Sequence, residues 1–326
     1  MRKIFLIAFA VIPLIISCDD QVNPKSDFKS EYVLNCVIRS DTSHQFATLS
    51  HSFDVEGYDP YTNREDPFIN NASIVITYKN TEYIMRDTTV ARTDTSRYKG
   101  ALKCFYLPNF QPKEYSKIKL DAYLLGGKTL HSESYVFEQS SIYMSVNGLP
   151  SRKFTSRNLI AGIISFSWGT LGNQDLNEAF FAPEIAIVYT KEVNNVKTKH
   201  LKKIPRTYVS QSNYLPIYPG IIVGSSSLNI DSTTINRAMM EISSGDTDKS
   251  SYTIENVVIR LLILDENLAA YYSAQQTFLN EFSLRSYQPD FTNIVGGLGL
   301  FGTYNFKSLV MEIDPDFAKS FGYSTP

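Results

Sequence analysis

The feature that most limits what this chain can fold into is a period-two alternation of apolar and polar side chains, interrupted by turn residues, along its first half. In Lys117-Ile118-Lys119-Leu120-Asp121-Ala122, the residues Ile118, Leu120 and Ala122, and then Leu124, fall on one side. Successive side chains of a strand point to opposite faces, so the pattern describes a strand with one buried and one wet face, which a helix cannot satisfy. Strands are predicted at Tyr32–Arg39, Phe46–Ser52, Ala72–Tyr78, Thr81–Met85, Tyr98–Tyr106, Lys117–Leu124 and Lys128–Phe137. Gly126-Gly127 predicts a hairpin of the primed-turn type. Seven strands in roughly 110 residues predict an immunoglobulin-like antiparallel sandwich over residues 30–139. Asp54 to Asn70 reads as a long loop, either functional or a disordered strand connection.

Residues 140–155 are polar, carry Gly148-Leu149-Pro150 and read as a linker. Beyond them a second β-rich domain is expected over 156–326, with one helix at about 265–282. Its predicted strands include Ile160–Trp168, Phe180–Tyr189, Lys197–Ile204, Ala238–Ile242, Ile254–Leu264 and Tyr304–Ile313. Asp265 suits a helix N-cap, and Leu268, Tyr271, Tyr272, Gln275, Phe278, Leu279 and Phe282 recur at helical spacing. The fold class expected is therefore mainly β.

The composition is globular, with 43% hydrophobic and 20% charged residues, and the net charge of -2 gives no electrostatic drive toward nucleic acid. The N-terminus carries an address. Arg2 and Lys3 precede an apolar run from Ile4 to Ile16, about 20 Å long as a helix, too short for the ~30 Å core of a bilayer. This is a signal-peptide pattern. Ile15-Ile16-Ser17-Cys18 then resembles the bacterial lipobox, which predicts a signal peptide over 1–17, lipidation of Cys18 and a tether over 18–29. Asp19 and Asp20 resemble the export signal that takes Bacteroidota lipoproteins to the outer face of the outer membrane.

Chemistry-bearing motifs are few. His44, His51, His131 and His200 show no metal-ligand spacing, and no metal or cofactor is expected. Asp246 and Asp248 read as a polar turn. The basic cluster from Lys197 to Arg206 reads as a solvated edge strand. Gly297-Leu298-Gly299-Leu300-Phe301-Gly302 matches a dinucleotide fingerprint in letters only. Too little chain follows for the strand and acidic residue that motif needs, so the glycines are assigned to a tight turn or a close backbone approach. Cys36 and Cys104 sit on strands with inward parity, and are either a disulfide or two separate buried thiols. No catalytic residues are identified, and the chain is expected not to be an enzyme.

Several features line up in order: Cys18 with its acidic neighbours, Tyr32-Val33-Leu34-Asn35-Cys36-Val37-Ile38, Asn71-Ala72-Ser73-Ile74-Val75-Ile76, Leu268-Ala269-Ala270-Tyr271-Tyr272, and Asn293-Ile294-Val295-Gly296-Gly297-Leu298-Gly299-Leu300-Phe301-Gly302. Together they resemble the Bacteroidota lipoproteins of domain-of-unknown-function family 4249. That resemblance implies a lipid-anchored outer-membrane protein, exposed at the cell surface, acting as a non-enzymatic accessory or ligand-binding partner of a TonB-dependent transporter in nutrient uptake. A structural or adhesive surface module is the alternative. Contacts are expected on aromatic loops, at Tyr58 and Tyr61 and, within Ser212 to Gly220, at Tyr214 and Tyr218.

Overall fold

Residues 28–55, 59–147, 153–154, 162–170, 179–209, 214–224, 226–276 and 291–326 are described by the computed structural model. The first part of the chain forms β1 (Tyr32–Arg39), β2 (Gln45–His51), β3 (Ala72–Tyr78), β4 (Thr81–Ile84), β5 (Arg86–Val90), β6 (Leu102–Leu107), β7 (Ser116–Leu124) and β8 (Thr129–Val136). Consecutive strands pair as antiparallel hairpins, β1 with β2, β3 with β4, β5 with β6 and β7 with β8. The sheet order β1-β2-β6-β5 stands against β4-β3-β7-β8. That is the strand order of an immunoglobulin-like sandwich. Its core takes the inward residues of both sheets, among them Leu34, Ile38, Leu49, Ile74, Ile76, Phe105, Ile118 and Leu120. Each such side chain contributes about 1.5–3 kcal/mol by leaving water. The β7–β8 turn differs from expectation. Gly126 and Gly127 both have positive φ, but the loop holds three residues, closed by Leu124 N–H donating to Gly127's neighbour Lys128 O at 2.9 Å.

The remainder forms β9 (Ile142–Val146), β10 (Lys153–Phe154), β11 (Ile163–Thr170), β12 (Phe180–Val193), β13 (Val196–Lys203), β14 (Thr207–Val209), β15 (Leu215–Ile217), β16 (Ile222–Val223), β17 (Ser226–Asp231), α1 (Ser232–Glu241), β18 (Tyr252–Leu264), α2 (Glu266–Gln276), β19 (Leu298–Ile313) and α3 (Pro315–Lys319). The sheet β17-β11-β9 packs on β13-β12-β18-β19, and Phe166, Trp168, Phe181, Ile187, Ile259 and Leu261 fill a second core between them.

One strand joins the two sandwiches. The first half of β19 pairs in parallel with β1, from Val33↔Leu298 to Arg39↔Tyr304, and its second half pairs antiparallel with β18, from Leu264↔Tyr304 to Asn256↔Glu312. Phe301 accordingly belongs to the first core, Met311 and Ile313 to the second. The segments 30–139 and 156–326 therefore share one ten-stranded sheet.

Several expectations are corrected. The stretch 140–155, read as a linker, carries β9 and β10, whose Ile142, Val146 and Phe154 are buried in the second core. Polar neighbours mask these anchors in the sequence. Ala238–Ile242, read as a strand, lies in and at the end of α1. Asp231 caps that helix by accepting from Thr233 N–H at 2.7 Å, and Ile235, Ala238, Met239 and Ile242 recur at helical spacing onto the core. The described helices thus number three, where the sequence reading expected one. The glycine segment is mostly strand, because β19 begins at Leu298. A side chain at Gly299 would place its Cβ 2.0 Å from the Leu34 carbonyl oxygen, and φ there is +120°. The close approach to β1 needs glycine at that position.

Candidate functional site

The expected lipidation residue Cys18 and its neighbours Asp19 and Asp20 lie outside the described residues, as does Tyr58. Chain described from Phe28 enters β1 at the loop end of the first sandwich. Ser52 ties it down there: Glu31 N–H donates to Ser52 Oγ at 2.8 Å, and Ser52 N–H donates to Glu31 O at 2.7 Å. In this topology the β2–β3, β5–β6 and β7–β8 connections and the start of β19 all emerge at that same end. A groove of about 490 Å³ lies there, lined by Glu31, Tyr32, His51, Ile69, Leu124 and Leu125. The Lys128 ammonium sits 4.9 Å above the Tyr32 ring and 3.5 Å from the Glu31 carboxylate.

Tyr61, in the described part of the loop from Asp54 to Asn70, packs on a cation. Arg97, from the β5–β6 connection, lies 5.3 Å from the Phe53 ring centre, 5.3 Å from Tyr61 and 4.9 Å from Tyr98. Arg92 stacks on Tyr98 and pairs with Asp66. Such cation–π contacts contribute about 0.5–1 kcal/mol each at exposed sites. Tyr61 remains 66% exposed, so one of its faces is open. The loop was visible in the sequence, but its partners Arg92 and Arg97 were missed. Their signal, two arginines beside a tyrosine in a short connection, has no fixed spacing.

Tyr214 and Tyr218 belong to a second cluster, on the other sandwich. The expected loop Ser212 to Gly220 in fact includes β15, paired with β14 from Thr207↔Ile217 to Val209↔Leu215. Arg237 on α1 lies 3.6 Å from the Tyr214 ring centre and 5.2 Å from that of Tyr208. Glu241 accepts from Lys202 Nζ at 2.6 Å, from Tyr208 Oη at 2.8 Å and from Arg237 Nε at 3.2 Å. Burial opposes its charge, but these donors hold the Glu241 carboxyl below the usual carboxylate range. Burial, and then the bond to Glu241, push the Tyr208 hydroxyl up. Tyr214 and Tyr218 stay 50% and 47% exposed.

Cys36 and Cys104 are both free and buried. Cys36 is opposite Ala47, and Ala47 is opposite Phe105, so these three share a face. Cys104, one residue from Phe105, points to the other face two strands away. Phe105 and Leu107 take the core-facing positions of β6, which reverses the parity expected for that strand. The disulfide alternative is thus not formed. Burial pushes the Cys36 thiol up to about 12 and raises that of Cys104, so neither is a nucleophile near neutral pH.

A third feature was legible only as a helix cap. Asp265 is buried between the sandwiches, where it accepts from Leu268 N–H at 2.9 Å, from Ser134 Oγ and from Asn267 Nδ2 at 3.4 Å. Burial pushes its carboxyl up to about 6, against these hydrogen bonds, which favour the charged form. Beside it, Asn293 donates to Phe301 O at 2.6 Å and to Ser132 Oγ at 3.0 Å, and Thr303 donates to Tyr135 O. This polar seam fastens β8 to β19, and it places the Asn293–Gly302 segment at a structural joint. Asp246 and Asp248 accept hydrogen bonds within their own turn, at Asp248 N–H and Ser250 N–H. The lysines of the edge strand β13 pair with Glu192, Glu255, Glu241 and Glu184. Among the described residues, no cluster of three His, Cys, Asp or Glu side chains could hold a metal ion, and no helix is long and apolar enough to cross a membrane.

No protein-family model matches the chain. No curated protein matches it. Among solved structures, the partial N-terminal region of an enterococcal surface protein aligns with 90% of this chain and 97% of its own length at 8% identity, with a TM-score of 0.17. That score is too low to indicate a shared fold.

Proposed function

We propose that this protein is a non-enzymatic, lipid-anchored lipoprotein of the outer membrane, exposed at the cell surface, that serves as an accessory or ligand-binding partner of a TonB-dependent transporter. The observation that carries the reading is positional. The segment that leads from the lipobox-like Cys18 joins the fold at the loop end of the immunoglobulin-like sandwich, beside a groove and an aromatic cluster centred on Arg97. A tether at that end keeps the loops close to any partner embedded in the membrane. Rigid aromatics such as Tyr61 offer broad apolar area and a hydroxyl at small entropic cost, which suits a partner rim or a small polar ligand. The transporter association comes from the resemblance to family 4249 and is tested directly by purification from outer membrane in mild detergent. A stoichiometric barrel protein that co-purifies supports the reading. Recovery alone, or in surface fibres, refutes the transporter role and favours the adhesive alternative.

A further inference from the structure

We infer that the loop end of the first sandwich is a membrane-docking surface that rests in the interfacial layer of the lipid bilayer, with the β7–β8 tip at Leu125 inserted and the second sandwich projecting away. This rests on the Cys18 anchor proposed above. Two observations carry it. The first is reach. About ten residues separate Cys18 from Phe28, which span at most roughly 35 Å when fully extended. The sixteen residues of β19 alone run about 50 Å from this end into the second sandwich. A lipid at Cys18 therefore holds the loop end, and not the distal end, within reach of the bilayer.

The second observation is the surface itself. Leu125 is 73% exposed at the tip of its hairpin, and Val295 is 68% exposed where it bridges to His131 on β8. Phe28, Tyr61, Tyr123 and Leu298 are also exposed at this end. Leu125 borders both the groove and a second depression shared with Tyr123. Lys128, beside Tyr32, supplies a cation and an aromatic ring at the rim, the pairing that suits the level of lipid headgroups. Apolar side chains at such a surface penetrate about 5–10 Å to the headgroup–acyl boundary.

The test uses the full lipidated chain in vesicles of phosphatidylethanolamine and phosphatidylglycerol, free of other proteins. Leu125→Cys and Val196→Cys are each labelled with an environment-sensitive fluorophore. The buried Cys36 and Cys104 stay unlabelled in the folded chain, and Val196 is an equally apolar, exposed site at the far β12–β13 turn. Nitroxide-bearing lipids should quench the label at 125 about threefold more than that at 196, given insertion of only the first. Equal quenching, or quenching at 196 alone, in a chain shown to be acylated and vesicle-bound overturns the inference and leaves the anchor standing. An apex shaped for a protein partner instead of lipid would leave the label at 125 quenched no more than that at 196 in these protein-free vesicles, which is the overturning result. Failure of palmitate incorporation into the chain, read separately, removes the anchor and the inference together. Leu125→Asp should lower quenching at a neighbouring label on position 295 without changing the melting temperature.

Discussion

Replacing Asp265 by Asn isolates the energetic consequence of a carboxylate held between two sandwiches. The side chain is buried, and its pKa rises from 3.8 to about 6, chiefly through desolvation. A group whose folded pKa lies above its unfolded one binds more protons in the native state. Its contribution is fully present below the unfolded value and is lost as pH rises through the folded value. Two pKa units at ~1.4 kcal/mol each place that loss at about 3 kcal/mol between pH 4 and pH 7. Asn keeps the N-cap, since its oxygen can accept from Leu268 N–H, and Ser134 can turn its hydroxyl to accept from the new amide. It does not titrate. Urea unfolding of both chains on a Cys18→Ala background at pH 4, 5, 6 and 7 gives the difference curve. The wild type should lose ground to Asp265→Asn as pH rises from about 4 to 6, between the unfolded and folded values, with a midpoint near 5. Other carboxylates, such as Glu133 and Glu241, have lowered values and run the opposite way, but they cancel in the difference. A flat difference curve would show that Asp265 is solvated or is not ionising in this range. A uniform loss in the variant at every pH would show that the joint depends on carboxyl hydrogen bonds that the amide does not replace, whatever the charge.

Gly299→Ala should lower stability by ~3 kcal/mol or more, because its Cβ meets the Leu34 carbonyl at a positive φ. Gly100→Ala, with nothing within 4 Å, should leave the melting temperature unchanged. Tyr61→Ala and Tyr214→Ala should weaken partner binding by ~1 kcal/mol or more while shifting melting by only a few degrees; a large drop in melting temperature would make them fold residues, not contact residues. Cys36 and Cys104 should resist alkylation at pH 8 until the chain unfolds, and rapid native labelling at Cys36 would contradict its burial. Cys18→Ala should abolish palmitate labelling and release the protein from membranes, and unchanged membrane retention would count against the anchor.

Strand alternation was enough to place β1, β3, β7 and β8, because a one-residue slip would turn Ile118 and Leu120 out to water. The sandwich class was legible from the strand count and spacing, but the strand order was not, and β5 (Arg86–Val90), polar and short, was missed. Asp265 was legible as a cap because capping is local. Its burial was not, since Ser134 and Thr303, which enclose it, are distant in sequence. Ala238–Ile242 misled because a short apolar run fits either period, and the Asp231 cap decides for helix. Cys104 misled because Leu102, Cys104 and Tyr106 read as the apolar face of β6, whereas Phe105 and Leu107 on the other face are the ones in the core. The sequence by itself determined the strand periods of the first sandwich and the Asp265 cap, both of which depend on residues a few positions apart. Only the tertiary structure decided that β19 lies beside β1, that two sandwiches therefore share one sheet, and that the start of β1, the groove and the Arg97 cluster meet at one end. A parallel pairing across more than 250 residues leaves no periodic mark in the chain beyond the glycine that lets the two backbones approach.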